Sequence, residues 1–240
     1  MHNRTPEVLY QNLRGTIRLY HGSKSGIQGP IRPASRANTD FGKGFYMSPK
    51  PDSPKALIAT HKNPTLYELS VNLSGIKCVR VSGVTWALLV AYNRGKLERF
   101  KGTKFYEQIA DITLNQDMVV GPIADDRMYD ALTEFFNNRI TDYTMLECMQ
   151  KLRLGDQRVA KTNKACDPSH IQIVSATTFT PDELQAIQLR AEKARDIANR
   201  DAEECIRAFF KKKYRPGYLL DEIMEGENHD ELELTPNPTL

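Results

Sequence analysis

Cysteine is scarce in this chain and never occurs in closely spaced pairs. The 240 residues contain four cysteines, at positions 78, 148, 166 and 205, and no two of them form a CxxC pair. This spacing argues against zinc-binding patterns and a disulfide framework, and it favours a reducing, cytoplasmic environment. The five histidines also lack the spacing of metal ligands, so we predict no metal site.

Long apolar runs are absent as well. No stretch approaches the ~20 apolar residues that span a bilayer, and residues 1–15 contain no apolar segment of signal-peptide length. We therefore expect neither a membrane anchor nor secretion. The formal net charge of +3 is too small to indicate a nucleic-acid partner, because such proteins usually show a stronger excess or a clear basic stripe.

Several common nucleotide-binding and hydrolytic motifs are missing. The chain has no P-loop, no GxGxxG after a strand, no GxSxG and no HExxH. A DFG tripeptide at residues 40–42 lacks the glycine-rich loop and the HRD segment of protein kinases, and it lies too early in the chain. These absences exclude P-loop, Rossmann and protein-kinase templates.

Hydrophobic patterning predicts short strands and helices in an irregular order. Strands are predicted over residues 16–21, 44–48, 66–72, 76–81, 117–122, 157–162 and 171–179. Helices are predicted over residues 53–61, 84–95, 125–136 and 142–154. Because the two kinds of element do not alternate regularly, we assign an α+β fold.

A long C-terminal helix is predicted from residue 180. Thr180, Pro181 and Glu183 form a capping-box sequence, and a mostly alanine stripe at steps of three and four continues to about residue 213. The stripe either packs on the helix's own domain or forms a homodimer or partner seam.

We therefore divide the chain into a domain at 1–179, a C-terminal helix at 180–215 and an acidic tail at 216–240. The tail contains seven acidic residues and no Lys or Arg. It is either solvated chain or, through the apolar residues within 219–224, a docking element.

An isolated histidine and an isolated tyrosine stand beside glycines at two predicted strands. His21 precedes Gly22, and Tyr46 follows Gly42 and Gly44. Glycine lets a ligand approach the backbone, whose N–H and C=O can bond a carboxamide, and a tyrosine ring can stack on a flat heterocycle. A buried structural histidine and a core tyrosine are the alternative interpretation.

The segments LYHGS (19–23) and FGKGFYMS (41–48) together resemble the first two signature segments of poly(ADP-ribose) polymerase catalytic domains. Those domains belong to the H-Y-[E/D/Q] branch of the ADP-ribosyltransferase superfamily. With DMVVGPIADDRMYDAL and DQRVAKTNKA, residues 16–180 look most similar to a bacterial domain of unknown function in that superfamily. The resemblance implies a core of two small split β-sheets, with the substrate NAD bound between the two segments.

The resemblance also implies roles for individual residues. His21 would hold the ribose next to nicotinamide, Gly22 would bond the carboxamide through its backbone, and Ser23 would bond a ribose. Tyr46, with Gly44 clearing space beside it, would stack on nicotinamide.

Gln157 takes the third catalytic position beside His21 and Tyr46. The polymerases hold a glutamate there, which bonds the ribose and stabilises a positively charged transition state, whereas glutamine orients the ribose without a charge. This departure implies mono-ADP-ribosylation rather than polymer formation, and Gln157→Glu is expected to keep or raise activity. A second departure is Leu57, which stands where the polymerases have another tyrosine. Either nicotinamide is held less tightly there or a different side chain closes the site.

Other assignments stay open at this stage. Asp126 and Arg127 either begin a helix whose dipole favours acids or contact the acceptor or an NAD phosphate. The acceptor is a macromolecule, either protein or nucleic acid. By analogy with bacterial members of the superfamily, the protein would be a toxin or defence effector with an antitoxin partner. The alternatives are an NAD-binding module that has lost turnover and an NAD glycohydrolase.

Overall fold

The computed structural model describes residues 7–124, 129–152, 155–212 and 215–226. The strands are β1 Val8–Asn12, β2 Thr16–Ser23, β3 Phe45–Met47, β4 Thr65–Asn72, β5 Lys77–Val81, β6 Met118–Pro122, β7 Asp156–Ala160 and β8 Ile171–Thr178. The helices are α1 Asp52–Ile58, α2 Gly83–Asn93, α3 Lys104–Asp111, α4 Tyr129–Phe136, α5 Asp142–Leu152, α6 Pro181–Lys211 and α7 Leu220–Glu225. The predicted α+β class is confirmed.

The strands form two sheets that meet at one backbone bridge. The larger sheet has the order β1-β5-β6-β7-β3, and the smaller has the order β2-β4-β8. Within the larger sheet β5 and β6 run parallel, whereas β3 and β7 run antiparallel. Tyr20 and Ser48 join the sheets through two backbone hydrogen bonds of 2.8 Å. The strand that carries His21 therefore lies beside the segment that carries Tyr46.

Two hydrophobic cores flank the larger sheet. The first contains Trp86, Phe41 and Phe135, all fully buried, and draws on α2, which is buried along most of its length. The second fills the space between the two sheets, where Leu19 and Leu69 of the small sheet share a cluster with Met47 of the large one. The junction of the sheets thus lies between two packed layers.

The long helix α6 begins at the predicted capping box. The Thr180 hydroxyl accepts from the Glu183 N–H, and the Glu183 carboxylate accepts from the Thr180 N–H at 2.8 Å. The second half of the helix packs on α4 and α5. Four stripe residues are buried there: Ala198, Ala202, Cys205 and Phe209. This half of the stripe packs within the chain, and a homodimer seam stays a prediction.

Helix α7 closes the first core. Its Leu220, Ile223 and Met224 are at most 2% exposed, and Asp221 pairs with Arg99. Residues 216–226 therefore include a packed element of the domain, and the rest of the acidic segment lies outside the described residues. Among the helices of the described ranges, none is long and apolar enough to cross a membrane.

Candidate functional site

His21 lies at the junction of the sheets with a fixed ring orientation. Its Nδ1 is 2.7 Å from the Tyr46 carbonyl oxygen. Because a carbonyl only accepts, Nδ1 carries the proton, and Nε2 is the acceptor of the neutral ring. The ring stacks on Phe45 with the centroids 4.2 Å apart. Burial lowers the pKa of His21 from its ordinary value, which favours this neutral form at pH 7.

Tyr46 anchors the loop that precedes it. We call residues 39–42 the Asp40 loop. The Tyr46 hydroxyl donates to the Gly42 carbonyl at 2.8 Å and accepts from the Phe41 N–H at 3.0 Å. It also shares a hydrogen bond of 2.7 Å with the Thr39 hydroxyl. Burial raises the pKa of Tyr46 to about 12, so the phenol keeps its proton and its donor role.

Side chains from two other elements bind the same loop. The Asn93 amide, at the end of α2, donates to the Asp40 carbonyl at 3.2 Å. The Lys161 ammonium, just after β7, donates to the Phe41 carbonyl. Burial lowers the pKa of Lys161 to about 8. Together with Tyr46, these contacts hold the backbone of the Asp40 loop at several points.

Gln157 is buried on β7, close to this loop. Tyr46 pairs with Val159 in the register of β3 and β7, so Gln157 lies two residues along the same face of β7. Its Nε2 donates to Asp40 Oδ2 at 2.8 Å and to the Pro122 carbonyl at 3.0 Å. The fold thus brings the third predicted catalytic residue near Tyr46 through the Asp40 loop.

Asp40 is the residue of this site that the sequence did not reveal. Its buried carboxylate accepts from Gln157, from the Ala124 N–H at 3.0 Å and from the Arg94 guanidinium at 2.6 Å. The available signal was its place in the DFG tripeptide, at the start of the glycine-containing segment that leads to Tyr46. Its connection to Arg94, 54 residues away, depends on the fold.

At the predicted cofactor-binding glycines Gly22 and Gly44, other residues of the chain fill the space that a side chain would occupy. A Cβ at Gly22 would lie 2.8 Å from Ile58 Cγ2 and from the Pro54 carbonyl oxygen. A Cβ at Gly44 would lie 2.2 Å from Val159 Cγ1. Glycine therefore lets α1 pack on β2 and lets β3 approach β7 closely.

The cofactor roles of Gly22, Ser23 and Gly44 stay predictions. Ser23 is the last residue of β2, where it pairs with Thr65. Leu57 is 68% exposed on α1. Asp126 and Arg127 lie outside the described residues.

A cavity opens beside the stacked pair of His21 and Phe45. Its volume is about 320 Å³, at the small end of the range for ligand pockets. Phe45 forms one wall, and the rest comes from the segment that links β2 to the Asp40 loop: Ile27, Gln28, Pro30, Ile31, Arg32 and Ala34.

One chain of the structure titled "Crystal structure of the M.tuberculosis MbcT-MbcA toxin-antitoxin complex" is similar at 11% identity, with a TM-score of 0.37. The similarity covers 73% of this chain and 91% of that chain, and it is too distant to carry a functional argument. No curated protein matches. The model of the family described as "Protein of unknown function (DUF3990)" matches residues 17–170, and the chain therefore belongs to the DUF3990 family.

Proposed function

We propose that the protein is an NAD-dependent mono-ADP-ribosyltransferase that acts on a macromolecular acceptor, either protein or nucleic acid. The hydrogen bond from His21 Nδ1 to the Tyr46 carbonyl carries this proposal. It joins the two segments that resemble the polymerases at the junction of the sheets. It also leaves Nε2 as the ring's acceptor, which is what a ribose hydroxyl needs.

The reaction breaks the bond between the nicotinamide nitrogen and the ribose C1′. The electron pair of that bond leaves with nicotinamide, and positive charge develops on the ribose. A nucleophilic atom of the acceptor then forms the new bond to C1′ and gives its proton to solvent. His21 Nε2 and Gln157 hold the ribose hydroxyls in this scheme, so the protein contributes mainly positioning.

The neutral state of His21 suits this role. A protonated imidazole would have a donor at both nitrogens and could not accept from a hydroxyl. Because burial lowers the pKa of His21, NAD affinity should hold as the pH falls towards 6.5 and decline only below it.

One pair of assays tests the proposal. The protein is mixed with NAD, nicotinamide release is followed, and transfer of labelled ADP-ribose to lysate protein or RNA is measured in parallel. Release together with transfer is the expected result. Release without transfer identifies an NAD glycohydrolase, and binding without release identifies a module that has lost turnover. A protein that neither binds nor cleaves NAD contradicts the proposal.

The binding-module alternative is favoured by Leu57. Leu57 is 68% exposed, so a nicotinamide ring bound as in the polymerases would lack the cover that their second tyrosine provides. Weak retention of nicotinamide, combined with a neutral Gln157, is what a module without turnover would show. The release assay separates the two functions directly.

A role as a toxin or defence effector with an antitoxin partner rests on the superfamily resemblance. Its test is growth of a bacterial host after induced expression. We expect the wild-type chain to arrest growth and His21→Ala to permit it at an equal protein level. Growth arrest by both proteins would show that any toxicity is unrelated to this site.

A further inference from the structure

The amide of Gln157 is oriented by its neighbours. Asp40 Oδ2 and the Pro122 carbonyl both lie within 3.0 Å of Nε2. A carboxylate and a carbonyl only accept hydrogen bonds. The amide nitrogen of Gln157, and not its oxygen, must therefore face them. Both N–H groups of Nε2 are then used, and no donor among the described residues is assigned to Oε1, the atom that can accept from a ligand.

Asp40 is held in place more firmly than a surface loop residue would be. Three donors converge on its carboxylate: Gln157 Nε2, the Ala124 N–H and the Arg94 guanidinium. Its own carbonyl accepts from Asn93. Because hydrogen bonds to charged partners are shorter and stronger than neutral ones, the Asp40 carboxylate fixes Gln157 better than a neutral acceptor would.

We propose that Asp40 is a positioning residue for the reaction: it fixes Gln157 so that Oε1 accepts the hydrogen bond from the ribose hydroxyl. This inference rests on the proposed function. The N–H bond to a carboxylate also polarises the amide, which makes Oε1 a stronger acceptor. The polymerases carry their carboxylate at the third catalytic position itself. This chain carries a carboxylate at Asp40 instead, which accepts a hydrogen bond from Gln157.

The geometry changes the outcome expected for Gln157→Glu. In that variant two carboxyl groups face each other at hydrogen-bond distance, with the Pro122 carbonyl beside them, so the pair must take up a proton or move apart. Like charges at such a distance destabilise each other. Gln157→Glu should therefore lose turnover, although it restores the residue type of the polymerases.

Steady-state nicotinamide release tests the role of Asp40. Asp40→Asn has nearly the same shape, but its amide offers one acceptor and one donor where the carboxylate offers two acceptors. At least one of the three donors then faces an N–H group. We expect kcat to fall about tenfold or more while KM for NAD changes less than about threefold, because orientation of Oε1 matters most in the transition state.

Asp117→Asn is the matched control. Like Asp40, Asp117 has a buried carboxylate. It pairs with Lys164 at 2.8 Å and accepts a hydrogen bond from the Thr162 hydroxyl. Asp117 lies directly before the first residue of β6, whereas Pro122 is the last residue of that strand. The two residues are about 16 Å apart along the strand. Asp117→Asn should lower stability with kcat unchanged, which separates loss of a buried ion pair from loss of positioning.

The double variant Asp40→Asn with Gln157→Glu supplies the rescue test. The asparagine N–H can donate to the new carboxylate, so one donor–acceptor pair is restored. We expect Gln157→Glu to lose about 100-fold in kcat and the double variant to recover about tenfold of that, which is within the usual coupling of contacting residues. This comparison stands even if Asp40→Asn alone fails to fold.

The outcomes distinguish the two proposals. A wild-type protein that releases no nicotinamide overturns the proposed function and this role with it. A wild-type protein that turns over while Asp40→Asn matches its kcat overturns the role of Asp40 alone. A double variant no more active than Gln157→Glu also overturns it.

Discussion

His21 and His170 make the same local bond in different places. Each places Nδ1 beside a backbone carbonyl, that of Tyr46 at 2.7 Å and that of Asn72 at 2.9 Å. Only His21 lies beside the cavity and Tyr46. Both histidines thus make the same kind of hydrogen bond. A difference in NAD binding between their alanine variants would therefore reflect where each histidine lies in the fold.

We expect His21→Ala to weaken NAD binding by about five- to tenfold. The variant loses a hydrogen bond to ribose worth about 1–1.5 kcal/mol, and each 1.4 kcal/mol is a factor of ten in affinity. Calorimetric titration measures the loss, and His170→Ala should bind like the wild type. Wild-type affinity in His21→Ala would remove His21 from the site.

Lys161 predicts an unusual dependence of stability on alkaline pH. Its folded pKa is about 8 because of burial, against 10.5 as its ordinary value. Between these values the unfolded chain binds more protons than the folded one, so this group makes the free energy of unfolding rise with pH. Tyr46 acts in the opposite direction above pH 10, since its folded pKa is about 12.

Urea denaturation at pH 7.5 and pH 10 measures the effect of Lys161. The gain in unfolding free energy over this interval should be smaller in Lys161→Met than in the wild type. Lys43, exposed on the neighbouring segment, provides the control, and Lys43→Met should follow the wild-type curve. Parallel curves for wild type and Lys161→Met would contradict the assigned pKa.

At the scale of elements, the contact between β3 and β7 is the closest approach in the site. The missing Cβ of Gly44 leaves room for Val159 and for the Ala160 carbonyl, which is backbone and cannot rotate away. Tyr46 and Val159 are paired two residues further along. The distance between these strands therefore sets the position of Tyr46 relative to Gln157.

Gly44→Ala should cost about 1–3 kcal/mol of stability, the usual range for overpacking, because one strand has to move. Gly155→Ala is the control, since the neighbour that a Cβ there would meet among the described residues is Ile123 Cδ1, at an ordinary 3.8 Å. Chemical denaturation of both variants gives the comparison. Equal stability of the two would show that β3 and β7 separate without cost.

The sequence revealed elements with strong local patterns and missed those without them. The predicted strands at 66–72 and 171–179 and the capped helix from 180 match β4, β8 and α6 within one or two residues. Strand β1 was missed because five residues give too short an alternation. Helix α3 had a signal that went unused: the Thr103 hydroxyl caps it by accepting from the Tyr106 N–H at 3.2 Å.

The site was readable only in part for a similar reason. The segments containing His21 and Tyr46 have short, recognisable motifs. The contact between Asp40 and Gln157 joins residues 117 positions apart, and no local pattern encodes it. Long-range polar pairs of this kind follow from the packed fold, so a substitution such as Gln157→Glu cannot be judged from the residue type alone.

At the scale of the whole molecule, α7 determines how much of the C-terminal segment the fold needs. Ile223 is 2% exposed in the first core, whereas Leu189, on the N-terminal half of α6, is 60% exposed. Ile223→Ala should lower stability by about 2–5 kcal/mol, the range for cavity-forming core substitutions. Leu189→Ala should stay within about 0.5 kcal/mol of the wild type. Thermal and urea unfolding provide the measurement, and equal effects would show that α7 adds nothing to the core.

Residues from near both ends of the described chain complete one core. Val8 of β1 and Leu220 of α7 belong to the cluster around Trp86. During translation, β1 leaves the ribosome before α7, and its core must wait for that helix, more than two hundred residues later. Until then the nascent chain exposes apolar surface that chaperones and proteases recognise. Ribosomes that stall before α7 therefore release chains suited to degradation, and the cell receives the folded site only from messages read past α7.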